Sequence, residues 1–187
     1  MKKLIIKLGL LLLMSFIIIF WSINKNENIV VEREVVASAK IKEDPVLVYD
    51  NLTIEELSSK LDRVMKAQLQ GKGELFASYA IEMGVDPYIA LAIVFQETGC
   101  YYGYCSQLVV DCNNIGGMKG GSSNKCYGGS YSKFDSIDDG IKIFIDNLSY
   151  GYFSQGLTTP ELMNKKYAED PYWASRVNNY VNIIKNS

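Results

Sequence analysis

The sequence predicts a mainly α-helical domain standing behind a single N-terminal transmembrane helix. Three observations predict it. An apolar run at residues 8–23 follows Lys2, Lys3 and Lys7 at the start of the chain. Beyond residue 50, helix-opening signatures recur and no alternating strand pattern of useful length occurs. All four cysteines and many of the glycines collect in one loop between those helices. At 187 residues and 48% apolar, the chain is long enough for one domain with a core.

The apolar run reaches about the 20 residues that span a bilayer if residues 4–6 count and Lys7 extends its amine to the headgroups. Basic residues stay on the inner side, so residues 1–23 read as an uncleaved anchor, in the membrane through residues 4–23. The rest then faces outward. A cleaved signal peptide is the competing reading. A lipoprotein anchor is excluded, because no cysteine precedes Cys100. Residues 24–50 mix Asn, Glu, Lys and Val without a period and read as an extracytoplasmic stalk. Residues 51–187 form the domain. Without residues 1–23 the chain has 16 basic against 21 acidic residues, which is no footprint for nucleic acid.

Within the domain, Thr53-Ile54-Glu55-Glu56 is a capping box that opens a helix to about residue 68. A second helix runs over 73–83 and stops at Gly84. Asp86-Pro87 opens a very apolar helix that ends at Gln96-Glu97, with Asp at the cap and Pro in the first turn. Residues 98–130 read as loop, with a small β-hairpin open within 100–135. Ser136 and Asp139 cap a helix to about 148, and Thr159-Pro160 opens a short one to 167. Asp170-Pro171 opens the last, to about 185, with Asp170 as its N-cap.

Cys100, Cys105, Cys112 and Cys126 face an oxidising compartment if the anchor orients the chain as above, so disulfides are expected. Three pairings are possible, and proximity favours Cys100–Cys105 with Cys112–Cys126. Zinc competes poorly, since the spacing lacks a Cys-x-x-Cys pair. No metal or cofactor is expected.

The chain has no histidine. Ser-His-Asp and Cys-His nucleophiles are therefore excluded, and acid–base work falls to Asp, Glu, Tyr or Lys. Glu97 is the prime candidate. A carboxyl in an apolar wall, at the negative end of a helix, keeps its proton more tightly than a free one. That suits a general acid in glycosidic cleavage.

Four segments occur in an order that resembles the glucosaminidase family of peptidoglycan hydrolases. They are Gln96-Glu97-Thr98-Gly99 with Ser106-Gln107-Leu108, then Asn113-Asn114-Ile115-Gly116-Gly117-Met118-Lys119-Gly120, then Tyr131-Ser132-Lys133-Phe134-Asp135-Ser136-Ile137-Asp138-Asp139-Gly140-Ile141, then Tyr167-Ala168-Glu169-Asp170-Pro171-Tyr172-Trp173-Ala174. The resemblance covers about residues 75–185. It implies a lysozyme-like fold and cleavage of a β-1,4 bond in peptidoglycan glycan strands, as an endo-β-N-acetylglucosaminidase. It also implies a catalytic role for Tyr167 beside Glu97. Thr98 departs from the family's serine, and the insert between Gly99 and Ser106 is longer than the pattern expects.

A second carboxylate is not obvious among Asp111, Asp135, Asp138, Asp139 and Asp170. Tyr167, or the substrate's own acetamido group, could replace it. Gln96, Asn113, Asn114, Gly117 and Tyr131 are candidate substrate contacts. Asn amides suit sugar hydroxyls, though Asn also favours turns. Tyr101, Tyr102, Tyr104, Tyr127, Tyr150 and Tyr152 could stack on sugar rings or pack in the core, and Trp173 reads as core. Two other readings stay open: a lytic transglycosylase or muramidase on the same fold, and a wall-binding scaffold of an envelope machine with a membrane-protein partner.

Overall fold

The computed structural model describes residues 45–120, 124–127 and 129–187. The expected anchor at 1–23 and the stalk up to residue 44 lie outside the described residues. Among the described residues no helix is long and apolar enough to cross a membrane. Their compact unit begins at Pro45. Tyr49 and Asp50, which the sequence placed in the stalk, are bonded to the domain. The Tyr49 hydroxyl donates to Asp86 Oδ2 at 2.7 Å, and Asp50 Oδ2 accepts from the Tyr88 hydroxyl at 3.1 Å.

The architecture is mainly helical, with one two-stranded hairpin. The helices are α1 (Ile54–Val64), α2 (Gly73–Glu82), α3 (Pro87–Thr98), α4 (Gln107–Cys112), α5 (Ile137–Gly151), α6 (Pro160–Tyr167) and α7 (Trp173–Lys185). Strands β1 (Lys125–Cys126) and β2 (Tyr131–Ser132) pair antiparallel, Cys126 opposite Tyr131.

Helix α3 is the axis. Asp86 caps it, accepting from the N–H groups of Tyr88 and Ile89 at 2.9 and 3.0 Å. Every residue from Pro87 to Phe95 is buried. A helix apolar on all sides has to be enclosed. Helices α2 and α7 pack on it, α1 covers α2, and α6 braces α7. Gly99 ends it at φ 73°, in the left-handed region where glycine carries no Cβ penalty.

Several boundaries differ from the sequence reading. Helix α1 stops at Val64 rather than near 68, because Met65 turns extended and Ala67 takes φ 52°. That break lets Met65 and Leu69 both reach the core. Helix α4 forms inside the expected loop. It is six residues long and lacks a side-chain cap at Ser106, so no local signal marks it. Buried Val109 and the Cys112–Cys126 disulfide hold it in place. Helix α5 runs to Gly151 rather than 148. Asp170 is not the N-cap of α7: Tyr172 holds that position, and Asp170 shapes the turn before it by accepting from the Tyr172 N–H at 2.9 Å.

The disulfides are Cys100–Cys105 and Cys112–Cys126, the pairing proximity favoured. The second closes a ring that contains the loop 113–120, which packs on α5. A Cβ at Gly116 would overlap the Phe144 ring, and one at Gly140 would overlap the Asn113 carbonyl. Gly140→Ala should therefore lower unfolding free energy by about 1–3 kcal/mol, read from a chemical denaturation midpoint at unchanged slope. An unchanged midpoint would mean the loop does not depend on that close approach.

Candidate active site

Glu97 occupies the last turn of α3, one residue from its end. The residue is exposed to solvent, yet protein closes in on its carboxyl from two sides. The Trp173 indole Nε1–H donates to Oε1 at 3.0 Å. On the other side, a Cβ built at Gly117 would sit 3.8 Å from Oε2. Desolvation by these neighbours raises the Glu97 pKa above 4.5, and the Trp173 donor and the Arg176 charge pull it partly back. Exposure and desolvation are compatible here, because one face of the carboxyl is open while the others meet protein. The helix C-terminus adds to the upward push.

Trp173 is itself held. It is almost fully buried, and Tyr167 stacks on its indole with ring centroids 4.6 Å apart and 21° between planes. Tyr152 tilts onto Tyr167 at 5.5 Å. The turn that delivers Trp173 is stapled by Asn164. Its amide donates to the carbonyls of Ala168 and Asp170 at 3.3 and 2.9 Å, and its Oδ1 accepts from the Ala174 N–H at 3.2 Å. Arg176, on the next turn of α7, forms an ion pair with Asp170.

Tyr167 makes no hydrogen bond to Glu97 but feels its charge. Burial first, then Glu97 and then Tyr152, push its phenol well above 10.0. The phenol is neutral while Glu97 titrates, so the influence runs from the carboxylate to the tyrosine. At ordinary pH Tyr167 is a neutral dipole, able to donate or accept a hydrogen bond but not to serve as an anionic base.

The asparagines hold the loop. Asn114 is fully buried, and its Nδ2 donates to the carbonyls of Met118 and Ser132, both at 2.9 Å. Its Oδ1 accepts from the N–H groups of Met118 at 2.9 Å and Gly116 at 3.4 Å. No edge of that amide is left for a sugar, so the expected contact is corrected to a structural one. Asn113, at φ 54°, donates Nδ2 to the Phe134 carbonyl at 2.9 Å and ends α4. Gly117, at φ 63°, is the loop residue that meets Glu97. Thr98 is buried and turns inward, its hydroxyl donating to the Val94 carbonyl at 2.5 Å. Gln96 is half-buried one step back along α3. Tyr131 is half-buried on β2, with Lys119 Nζ 5.5 Å from its ring centroid.

Four of the five candidate aspartates have other partners, and Asp135 is exposed. Asp111 accepts from Tyr127, Asp138 pairs with Lys72, Asp139 accepts from the Ser136 hydroxyl and Asp170 pairs with Arg176. The described residues contain no group of three or more His, Cys, Asp or Glu able to hold a metal. Sequence reasoning missed Trp173, taken as core, and Arg176. The available signal was positional: Trp173 stands in the fourth of the segments that carry the resemblance.

A family model described as Glucosaminidase, mannosyl-glycoprotein endo-beta-N-acetylglucosaminidase, matches residues 73–186, more than half of the chain. No curated protein matches the chain.

The raised Glu97 pKa fixes a sign. Stability gained by keeping its proton is present below the free value of 4.5 and lost as pH rises through the higher native value. Glu97→Gln should therefore melt above wild type at neutral pH, with the gap closing as pH falls below 4.5. Trp173→Phe, which removes the donor, should move the Glu97 carboxyl titration further up in ¹³C NMR. A titration that moves down would refute the assigned role of the indole.

Proposed function

The chain belongs to the glucosaminidase family of glycoside hydrolases, and from that premise we propose that it is a peptidoglycan-cleaving endo-β-N-acetylglucosaminidase with Glu97 as general acid. The observation that carries the reading is the Glu97 carboxyl: desolvated, pinned on Oε1 by Trp173, and faced on the Oε2 side by a glycine. A carboxyl that keeps its proton can deliver it to the departing glycosidic oxygen. Pinning one oxygen leaves the other to point at substrate. A glycine opposite it lets the chain of sugars approach closely.

Bond cleavage leaves positive charge on the anomeric carbon. With four of the five candidate aspartates otherwise engaged, two other groups can meet that charge. One is the substrate's own acetamido oxygen. The other is a water held by the neutral phenol of Tyr167, which orients it while Glu97, now ionised, accepts its proton. Gln96 and Tyr131 are substrate contacts in this reading. The same lack of a second carboxylate favours, as second reading, anhydro-ring closure without water.

The protein works outside the membrane, anchored through residues 4–23, on glycan strands of the wall. Two disulfides among the described residues support an oxidising compartment.

Glu97→Gln should slow clearing of a peptidoglycan suspension by about 10²–10⁴-fold. Borohydride-reduced fragments from the wild type should end in reduced N-acetylglucosamine by mass spectrometry. Anhydro-muramic ends would replace hydrolysis by ring closure, and reduced muramic ends would move the cut to the other bond. Equal clearing by variant and wild type would leave only a scaffold role.

A further inference from the structure

The insert between Gly99 and Ser106 is built as a rigid ledge. It leaves α3 at Gly99, makes one tight turn over Cys100–Tyr102, and reverses at Gly103 with φ 93°. Two closures fix it. The Cys100–Cys105 disulfide holds the Cα atoms 4.2 Å apart, and the Ser106 N–H donates to the Thr98 carbonyl at 2.8 Å. The second closure lies next to Glu97.

Three tyrosines ride on this ledge. Tyr101 is half-buried and packs on Phe95 and Tyr180, with centroids at 5.5 and 5.7 Å. Tyr102 and Tyr104 are 62% and 67% exposed. Their rings are near parallel, 27° between planes and 6.5 Å between centroids. The Tyr180 hydroxyl donates to that of Tyr102 at 3.3 Å. The Tyr104 ring passes 3.9 Å from where a Gly99 Cβ would stand. Tyr180 shares a face of α7 with Trp173, seven residues and about 10 Å along the axis. The tyrosines therefore begin at the end of α3 that carries Glu97 and extend along the helix that pins it.

A single exposed tyrosine needs no explanation. Two, held near parallel by a disulfide in an eight-residue segment without aliphatic or basic side chains, do. We propose that Tyr102 and Tyr104 form a stacking ledge for pyranose rings of the glycan strand, beyond the bond placed at Glu97. Pyranose rings present an apolar face that lies flat on an aromatic plane, and phenol hydroxyls at the rim can bond sugar hydroxyls. A membrane-seeking surface would carry basic and aliphatic residues instead. Lys66 Nζ sits 5.1 Å from the centroid of Tyr101, the half-buried member of the three. The inference rests on the glycosidase reading and names a substrate contact that the family pattern does not contain, because the insert itself departs from that pattern.

The test is calorimetric titration of the full chain carrying Glu97→Gln with soluble β-1,4-linked N-acetylglucosamine oligomers, so that binding is read without turnover. Adding Tyr102→Ala and Tyr104→Ala should weaken binding about tenfold. Tyr102→Phe with Tyr104→Phe should largely retain it, because the ring faces remain. Unchanged thermal midpoints and intact disulfides by mass would show that the variants fold. A parent that binds no oligomer, or a double alanine variant that binds as tightly as the parent, overturns the ledge. A wild type that binds through these tyrosines yet cleaves no glycan overturns the glycosidase reading instead.

Discussion

The fold depends on enclosing α3. A helix buried on every side from Pro87 to Phe95 has no face for solvent, so the helices packed on and around it serve that one requirement. The requirement fails only at the C-terminal turn. There the chain must end the helix and return to water, and there Glu97 stands. A carboxyl at that point inherits two penalties on its anion, the loss of water on its protein sides and the negative end of the helix. The same burial that stabilises the domain thus raises the pKa of the carboxyl at the end of its central helix.

The glycine-rich loop and the two aromatic helices complete this arrangement from opposite sides. Asn114 spends its whole amide on closing the 114–118 turn and tying it to β2. Gly116 and Gly140 let that turn lie against α5, which brings Gly117 toward Oε2 of Glu97. On the other side Asn164 fixes the turn into α7, and Trp173 reaches back to Oε1. Neither asparagine bonds to the Glu97 carboxyl. Both set where the atoms around the carboxyl stand, which is why polar residues in a motif need not be contacts.

Much of this was legible in the sequence. Capping signals gave α1, α3, α5 and α6 their starts, because the cap is a local interaction between residues two or three apart. Glu97 was legible for the same reason: an apolar run ending in a carboxylate is a local pattern. The misses were nonlocal. Helix α4 depends on a disulfide to a residue fourteen positions away rather than on a cap. Trp173 read as core by its type and is core by burial. Its one side-chain N–H is bonded to a residue 76 positions earlier, and no spacing rule reports such a bond. Asp170 looked like an N-cap because Asp-Pro so often is one. Here its pairing with Arg176 and its bond to the Tyr172 N–H move the helix start to Trp173.

The aromatic stack behind Glu97 also limits what its neighbours can do. Tyr152, Tyr167 and Trp173 form one continuous pile, and only the indole donates to the carboxyl. A phenol inside such a pile cannot ionise near neutral pH, because burial and the adjacent carboxylate both oppose a second negative charge. Tyr167 therefore stays a neutral partner beside the Glu97 carboxyl. The indole has the complementary constraint. It has no acceptor and cannot titrate, so it biases Glu97 toward its anion by a fixed amount at every pH. Desolvation pulls one way and the indole, helped by Arg176, pulls the other. The balance of the two leaves the Glu97 pKa above 4.5, with desolvation the larger influence.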